Sequence, residues 1–188
     1  MHERRIVLVR HGRSAHVHAG WIDVAGFLRW RETYEAAGID ERDTPPQELQ
    51  AMAADAGMIV ASDASRAIES ARLLSPGAEV AVTSLVREFE LAPPNLGRLR
   101  LPMAGWALAY GVRMLIRSRA HVSAAEHERA REAGRWLSGL TEKHGLVVVV
   151  THASFRSALA KALESERWRN ETARRSSAHW SAWSFSPT

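Results

Sequence analysis

The chain has 188 residues, 46% hydrophobic and 24% charged, the balance of one folded domain and not of a disordered or low-complexity chain. Its net charge of +4 is almost entirely arginine against carboxylate, since Lys143 and Lys161 are the only lysines, and the charges are scattered without a dense basic run, which argues against a nucleic-acid-binding protein. There is no cysteine, so a disulfide framework, a zinc ribbon and a thiol nucleophile are all excluded.

The opening residues contain an apolar run, Ile6–Val9, too short for a signal peptide, and a cytoplasmic location is the default expectation. That run reads as a buried strand, rich in β-branched residues and without alternation. Thr44-Pro45-Pro46-Gln47 reads as a helix start, with Thr44 as N-cap and Leu49, Met52, Ala53 and Ala56 on one face. Met58–Ala61 and Val80–Val82 are the next strands, with a helix opening between them near Asp63. Residues 84–122 are the least regular stretch and are expected to cover one end of the sheet. Its most apolar part, Leu101–Ile116, holds Pro102 and Arg113 and is too short to span a membrane. Ser123-Ala124-Ala125-Glu126 is a capping box ahead of Ala130, Ala133, Leu137 and Leu140 at helical spacing. Leu146–Val150 is a fourth strand, followed by a helical stripe of Phe155, Ala158, Leu159, Ala162 and Leu163. The alternating end, His179–Phe185, reads as a late edge strand. Strands alternating with helices predict an α/β fold, a three-layer α/β/α sandwich on a mostly parallel open sheet, as a single domain over 1–188.

Ligands of open α/β sheets bind outside the carboxyl ends of the strands. Arg10, His11 and Gly12 follow the first strand, and Ser62, Asp63 and Arg66 follow the second. Glu88 follows the third, and Thr151 and His152 the fourth. Two histidines, two arginines and a carboxylate converging on one edge suit phosphoryl transfer. Guanidiniums orient a phosphate, a neutral imidazole attacks phosphorus, a second histidine stabilises the equatorial oxygens, and a carboxylic acid protonates the leaving group. Asp63 as a helix N-cap would put Arg66 in the first turn, at the positive end of the helix dipole.

These residues sit in the segments LVRHGRS, SDASRAIESA, LVRE and VVVVTHASFR, and the four together resemble the histidine phosphatase superfamily, the phosphoglycerate-mutase-like proteins. The resemblance runs from residue 5 to about residue 165. It implies His11 as the phosphorylated nucleophile, Arg10, Arg66 and His152 as the phosphate pocket, and Glu88 as proton donor with Glu90 as the alternative. It also implies a phosphomonoester hydrolysed without metal or organic cofactor, the substrate being a small phosphorylated molecule or a phosphoprotein. Arg13, Val17 and Ala153-Ser154 depart from the residues common in the family. Arg13, His16, His18 and Trp106 are candidates for substrate contact, with Tyr110 one helical turn beyond Trp106. His16 and His18 lack a third ligand that would make them a metal site. Arg156, one turn past His152, is expected either to support the pocket or to face solvent. The alternatives are a mutase, which usually carries longer enclosing insertions, and a catalytically silent phospholigand-binding protein, for which an intact quartet would be unnecessary.

Overall fold

The computed structural model describes residues 3–16, 20–89, 93–94, 96–116 and 124–188. The expected strands form β1 (Arg5–Arg10), β2 (Met58–Ser62), β3 (Val80–Thr83) and β4 (Leu146–Thr151), joined by β5 (Trp168–Asn170) and β6 (Ala182–Pro187). The helices are α1 (Val24–Ala36), α2 (Gln47–Ala54), α3 (Ser65–Leu74), α4 (Met103–Ile116), α5 (Ala124–His144) and α6 (Ala153–Ser165), with a short 3-10 turn at Ser84–Val86.

One six-stranded sheet has the order β3-β2-β4-β1-β6-β5. The first four strands are parallel, while β6 runs antiparallel to both β1 and β5. The apolar runs are continuous because both faces are covered. Ile6, Leu8, Val147 and Val149 pack with Ala133, Leu137, Phe155, Leu159 and Leu163 of α5 and α6. Val7, Val9, Val148 and Val150 turn to the other face and meet Leu49, Ala53, Ala67, Ala71 and Leu74 of α2 and α3. The expected three-layer sandwich is therefore present, and each fully buried aliphatic side chain contributes on the order of 1.5–3 kcal/mol to it.

Several elements differ from expectation. Helix α2 begins at Gln47 with Pro46 as its N-cap, two residues later than Thr44 suggested. The capping residue Ser123 lies outside the described residues. Helix α1, capped by the Asp23 carboxylate on Gly26 N–H at 2.8 Å, was not anticipated, because Phe27 is its only buried residue. The C-terminal strand is internal, with the three-residue β5 outside it. Strand β6 also starts later than the alternation implied, since Trp180 stands at φ 60°, in a turn and not in extended backbone.

The pairing places the carboxyl ends of three strands level with one another. Arg10 of β1 faces Thr151 of β4, and Ala61 of β2 faces Val150. His11, His152 and Ser62 thus emerge side by side.

Candidate active site

His11 is buried, and its Nδ1 lies 2.6 Å from the Gly12 carbonyl oxygen. A carbonyl only accepts, so Nδ1 carries the proton and Nε2 keeps its lone pair. Burial pushes the His11 pKa from 6.5 down to about 3; the Gly12 hydrogen bond opposes that shift, and the charges of Arg66 and Arg10 add to it. The imidazole is therefore neutral and nucleophilic at ordinary pH.

His152 lies beside it, the two ring centroids 4.9 Å apart. Arg66 has no acceptor, so its Nη2, 3.3 Å from His152 Nδ1, must donate. Nε2–H of His152 then donates to Ser62 Oγ at 2.9 Å. Burial first, then His11 and the two arginines, holds the His152 pKa well below its ordinary value. Both nitrogens already have protein partners, which the sequence did not disclose.

The buried histidines make a pH prediction. Between pH 6.5 and about 3 the unfolded chain binds a proton at His11 that the folded chain refuses, and His152 acts in the same direction. Stability should fall as pH is lowered through that window, His11 alone accounting for about 2 kcal/mol at pH 5. Urea unfolding midpoints should drop between pH 7.5 and 5, and less so in His11→Asn. Equal slopes in both proteins would show that His11 is not held neutral.

Arg10 ends β1. Burial lowers its pKa, while Tyr34 and Glu88 act to raise it and Arg66 adds to the lowering. One terminal nitrogen donates to the Ser177 carbonyl, and the buried Nε has no partner. Arg66 lies in the first turn of α3 as expected, but Asp63 is not the cap. The N-cap is Ala64, without a side-chain bond, and Asp63 pairs instead with Arg87 at 2.8 Å. The reason is geometric: the helix starts one residue later, and Asp63 turns toward the loop carrying Glu88.

Glu88 accepts from the backbone N–H groups of Phe155 (2.8 Å), Ser154 (3.1 Å) and Phe89 (3.0 Å). It therefore caps α6, whose own N-cap, His152, makes no side-chain cap bond. Oε1 takes two of these bonds and Oε2 one, so Oε2 is the oxygen left to carry a proton. Arg129 holds the loop in place by donating to the carbonyls of Leu85 (3.0 Å) and Arg87 (2.9 Å), its guanidinium lying over Phe155. Thr151 Oγ1 also donates to the Val86 carbonyl at 2.7 Å. Glu90 lies outside the described residues.

The candidate substrate contacts fare differently. Arg13 is exposed, with its backbone N–H on Asp43. His16 stands 5.8 Å from the Trp30 ring and has a buried Nε2 without a partner. His18 and Val17 lie outside the described residues. Trp106 is 0% exposed, stacked on Phe27 at 4.6 Å, and donates its indole N–H to the Ile22 carbonyl, so it joins α4 to α1 and has no surface with which to line a cleft. Tyr110 continues that packing, 5.5 Å from Phe27. Arg156 does not face solvent. It is fully buried over the Trp183 ring and donates to the Ser181 and Ser176 carbonyls. Burial lowers its pKa to about 10. Among the described residues, no group of three or more potential ligands could hold a metal ion, and no helix is long and apolar enough to cross a membrane.

Four further residues, not anticipated from the sequence as part of the site, border it. The Tyr34 ring lies 4.4 Å beneath the Arg66 guanidinium, and Glu35 pairs with that guanidinium. His179, 5.5 Å from His11 ring to ring, has its Nδ1 3.0 Å from the His11 carbonyl oxygen. Trp180 donates to Asp43 and lies so close to Gly12 that a Cβ there would fall 2.4 Å from the indole.

No known family profile matches the chain, and no curated protein is significantly similar to it in sequence. Solved structures are similar in fold. An ecdysone phosphate phosphatase from Bombix mori, in complex with tungstate, superposes with a TM-score of 0.56 at 13% identity, over 96% of this chain and 88% of that one. A phosphoserine phosphatase variant from Entamoeba histolytica, in complex with phosphoserine, gives 0.53 at 12% identity, over 96% and 89%. A protein described as mycobacterial hydrolase 2 gives 0.53 at 22% identity, over 86% and 72%. The resemblance carried by the four sequence segments thus extends to the whole architecture: the chain folds as the histidine phosphatases do.

Proposed function

We propose that the protein is a phosphatase that hydrolyses a phosphomonoester through a covalent phosphohistidine on His11. The observation that carries this reading is the neutral His11 with a free Nε2, beside two arginines whose buried Nε–H groups have no partner. Nε2 attacks phosphorus as the ester P–O bond breaks, and Glu88 gives the departing oxygen a proton from Oε2. Water then attacks the phosphohistidine, its proton returns to Glu88, the N–P bond breaks and phosphate leaves. Arg10 and Arg66 balance the charge on the phosphoryl oxygens. His152 contributes by sharing its Nε2–H between Ser62 and an oxygen in flight. The phosphatase names among the structural neighbours agree with this reaction class.

The arginines supply the cationic charge that a metal would otherwise bring, so the reaction is metal-independent. The described part of the stretch 84–122 bears on the site through α4, which braces α1 at Trp106, and α1 brings Tyr34 and Glu35 to Arg66. Location in the cytoplasm is part of the reading, and the natural substrate is a phosphorylated small molecule or a phosphoprotein.

The test is phosphate release from nitrophenyl phosphate and a panel of phosphorylated metabolites after exhaustive chelation. Full activity in EDTA and competitive inhibition by vanadate are expected. Activity that vanishes on chelation and returns with magnesium or zinc would point to another class of phosphatase.

A further inference from the structure

The terminal nitrogens of Arg66 offer four N–H groups, and every one has a protein partner. Nη1 donates to the Tyr34 carbonyl at 3.2 Å and to Glu35 Oε2 at 3.3 Å. Nη2 donates to the Glu35 carboxylate and to His152 Nδ1, each at 3.3 Å. Only the buried Nε–H is free. In this state the arginine cannot present its fork to a phosphate. One of its partners has to leave, and they differ in their freedom to do so. The Arg66 side chain is 1% exposed and rests on the Tyr34 ring, and the Tyr34 carbonyl is fixed in α1. His152 is 1% exposed and also held by Ser62. The Glu35 side chain is 48% exposed and can swing into water.

We propose that Glu35 is a resident anion in the Arg66 fork, displaced by the incoming phosphoryl group, and that this exchange sets how tightly the site holds a phosphoryl anion. The inference rests on the phosphatase reading of the same site. The exchange replaces a singly charged carboxylate with the substrate. The cost of moving the carboxylate aside is the same whichever phosphoryl anion arrives. Glu35 thereby lowers the affinity for monoesters and diesters alike, and only a ligand whose contacts with the arginines outweigh that cost displaces it.

The experiment is calorimetric titration of the full chain, wild type, Glu35→Gln and Glu35→Ala, at pH 8. The probes are phenylphosphonate, a dianion, and its methyl ester, a monoanion; neither is expected to turn over. Both variants should bind phenylphosphonate about 3–10-fold more tightly, the range expected when a half-exposed ion pair no longer competes. The methyl ester should gain by a similar factor, because the same carboxylate has to move for either ligand. Weaker or unchanged binding in Glu35→Gln would overturn the proposal and make Glu35 a holder of Arg66 instead. Gln keeps the size of Glu, so it decides the matter if the alanine variant fails to fold. A wild type that binds neither probe and hydrolyses no phosphomonoester would overturn the phosphatase reading as well. Binding by the wild type without tightening in Glu35→Gln would overturn only the displacement.

Discussion

His11→Ala is expected to lower phosphomonoester hydrolysis by roughly 10⁴-fold or more, the scale seen when a covalent nucleophile is removed. The imidazole is arranged as the proposed nucleophile requires. Its tautomer is set by the Gly12 carbonyl, its charge state by burial, and its position by the His11 N–H bond to the Thr151 carbonyl at 3.0 Å. Quenching the wild type in mid-turnover should trap a phosphate on this residue, labile in acid and stable in base. Variant activity near that of the wild type, or label recovered on another residue, would refute the mechanism. His11→Asn provides a check on folding, because it keeps a polar group near the Gly12 carbonyl while removing the nucleophile.

Glu88→Gln should slow alkyl phosphates by the roughly 10²–10⁴-fold expected of a lost general acid. Nitrophenyl phosphate, whose leaving group needs little protonation, should suffer far less in the step that phosphorylates His11. Burst kinetics isolate that step from the later hydrolysis, in which the proposed reaction uses the same carboxylate as base. The position of Glu88 adds a second effect that chemistry alone would not suggest. Its carboxylate caps α6, and glutamine can present only one acceptor oxygen there, so a stability loss of about 1 kcal/mol should accompany the change. The two effects separate cleanly, because loss of the cap does not distinguish one leaving group from another. An equal loss on both esters would assign Glu88 to structure or phosphate binding. A selective loss in Glu90→Gln, with none at Glu88, would move the proton donor there.

What could be read from the sequence followed from strand ends. Continuous β-branched runs identify buried parallel strands, and the residues just after them must share an edge, so Arg10, His11, Arg66, Glu88 and His152 could be named together. Helix α1 was not legible, because its aromatic residues Phe27, Trp30 and Tyr34 pack mainly on one another and on Trp106, leaving a weak inward stripe. With the helix unseen, Tyr34 and Glu35 gave no sign that they reach Arg66. His179 and Trp180 were concealed by the alternation that does belong to Trp183 and Phe185; the left-handed turn at Trp180 breaks the strand before it reaches them. For Arg156 the sequence left pocket support and solvent open, because a guanidinium one turn into a helix ordinarily faces water. Here backbone carbonyls of the 176–181 turn and the Trp183 ring satisfy it inside.

That turn also has a consequence for the order in which the protein becomes whole. His179, 168 positions after His11 in the chain, holds the His11 carbonyl. Trp180 N–H pairs with the Arg10 carbonyl, Ser181 accepts from Arg10 N–H, and Trp180 closes over Gly12. A growing chain can pair β1 with β4 once residue 151 has emerged, and His11 then stands at the strand end with the 176–181 turn still unsecured. The surroundings of His11 are thereby completed only with the arrival of residues 176–181, and fragments ending before residue 176 would retain the four parallel strands while lacking the finished pocket.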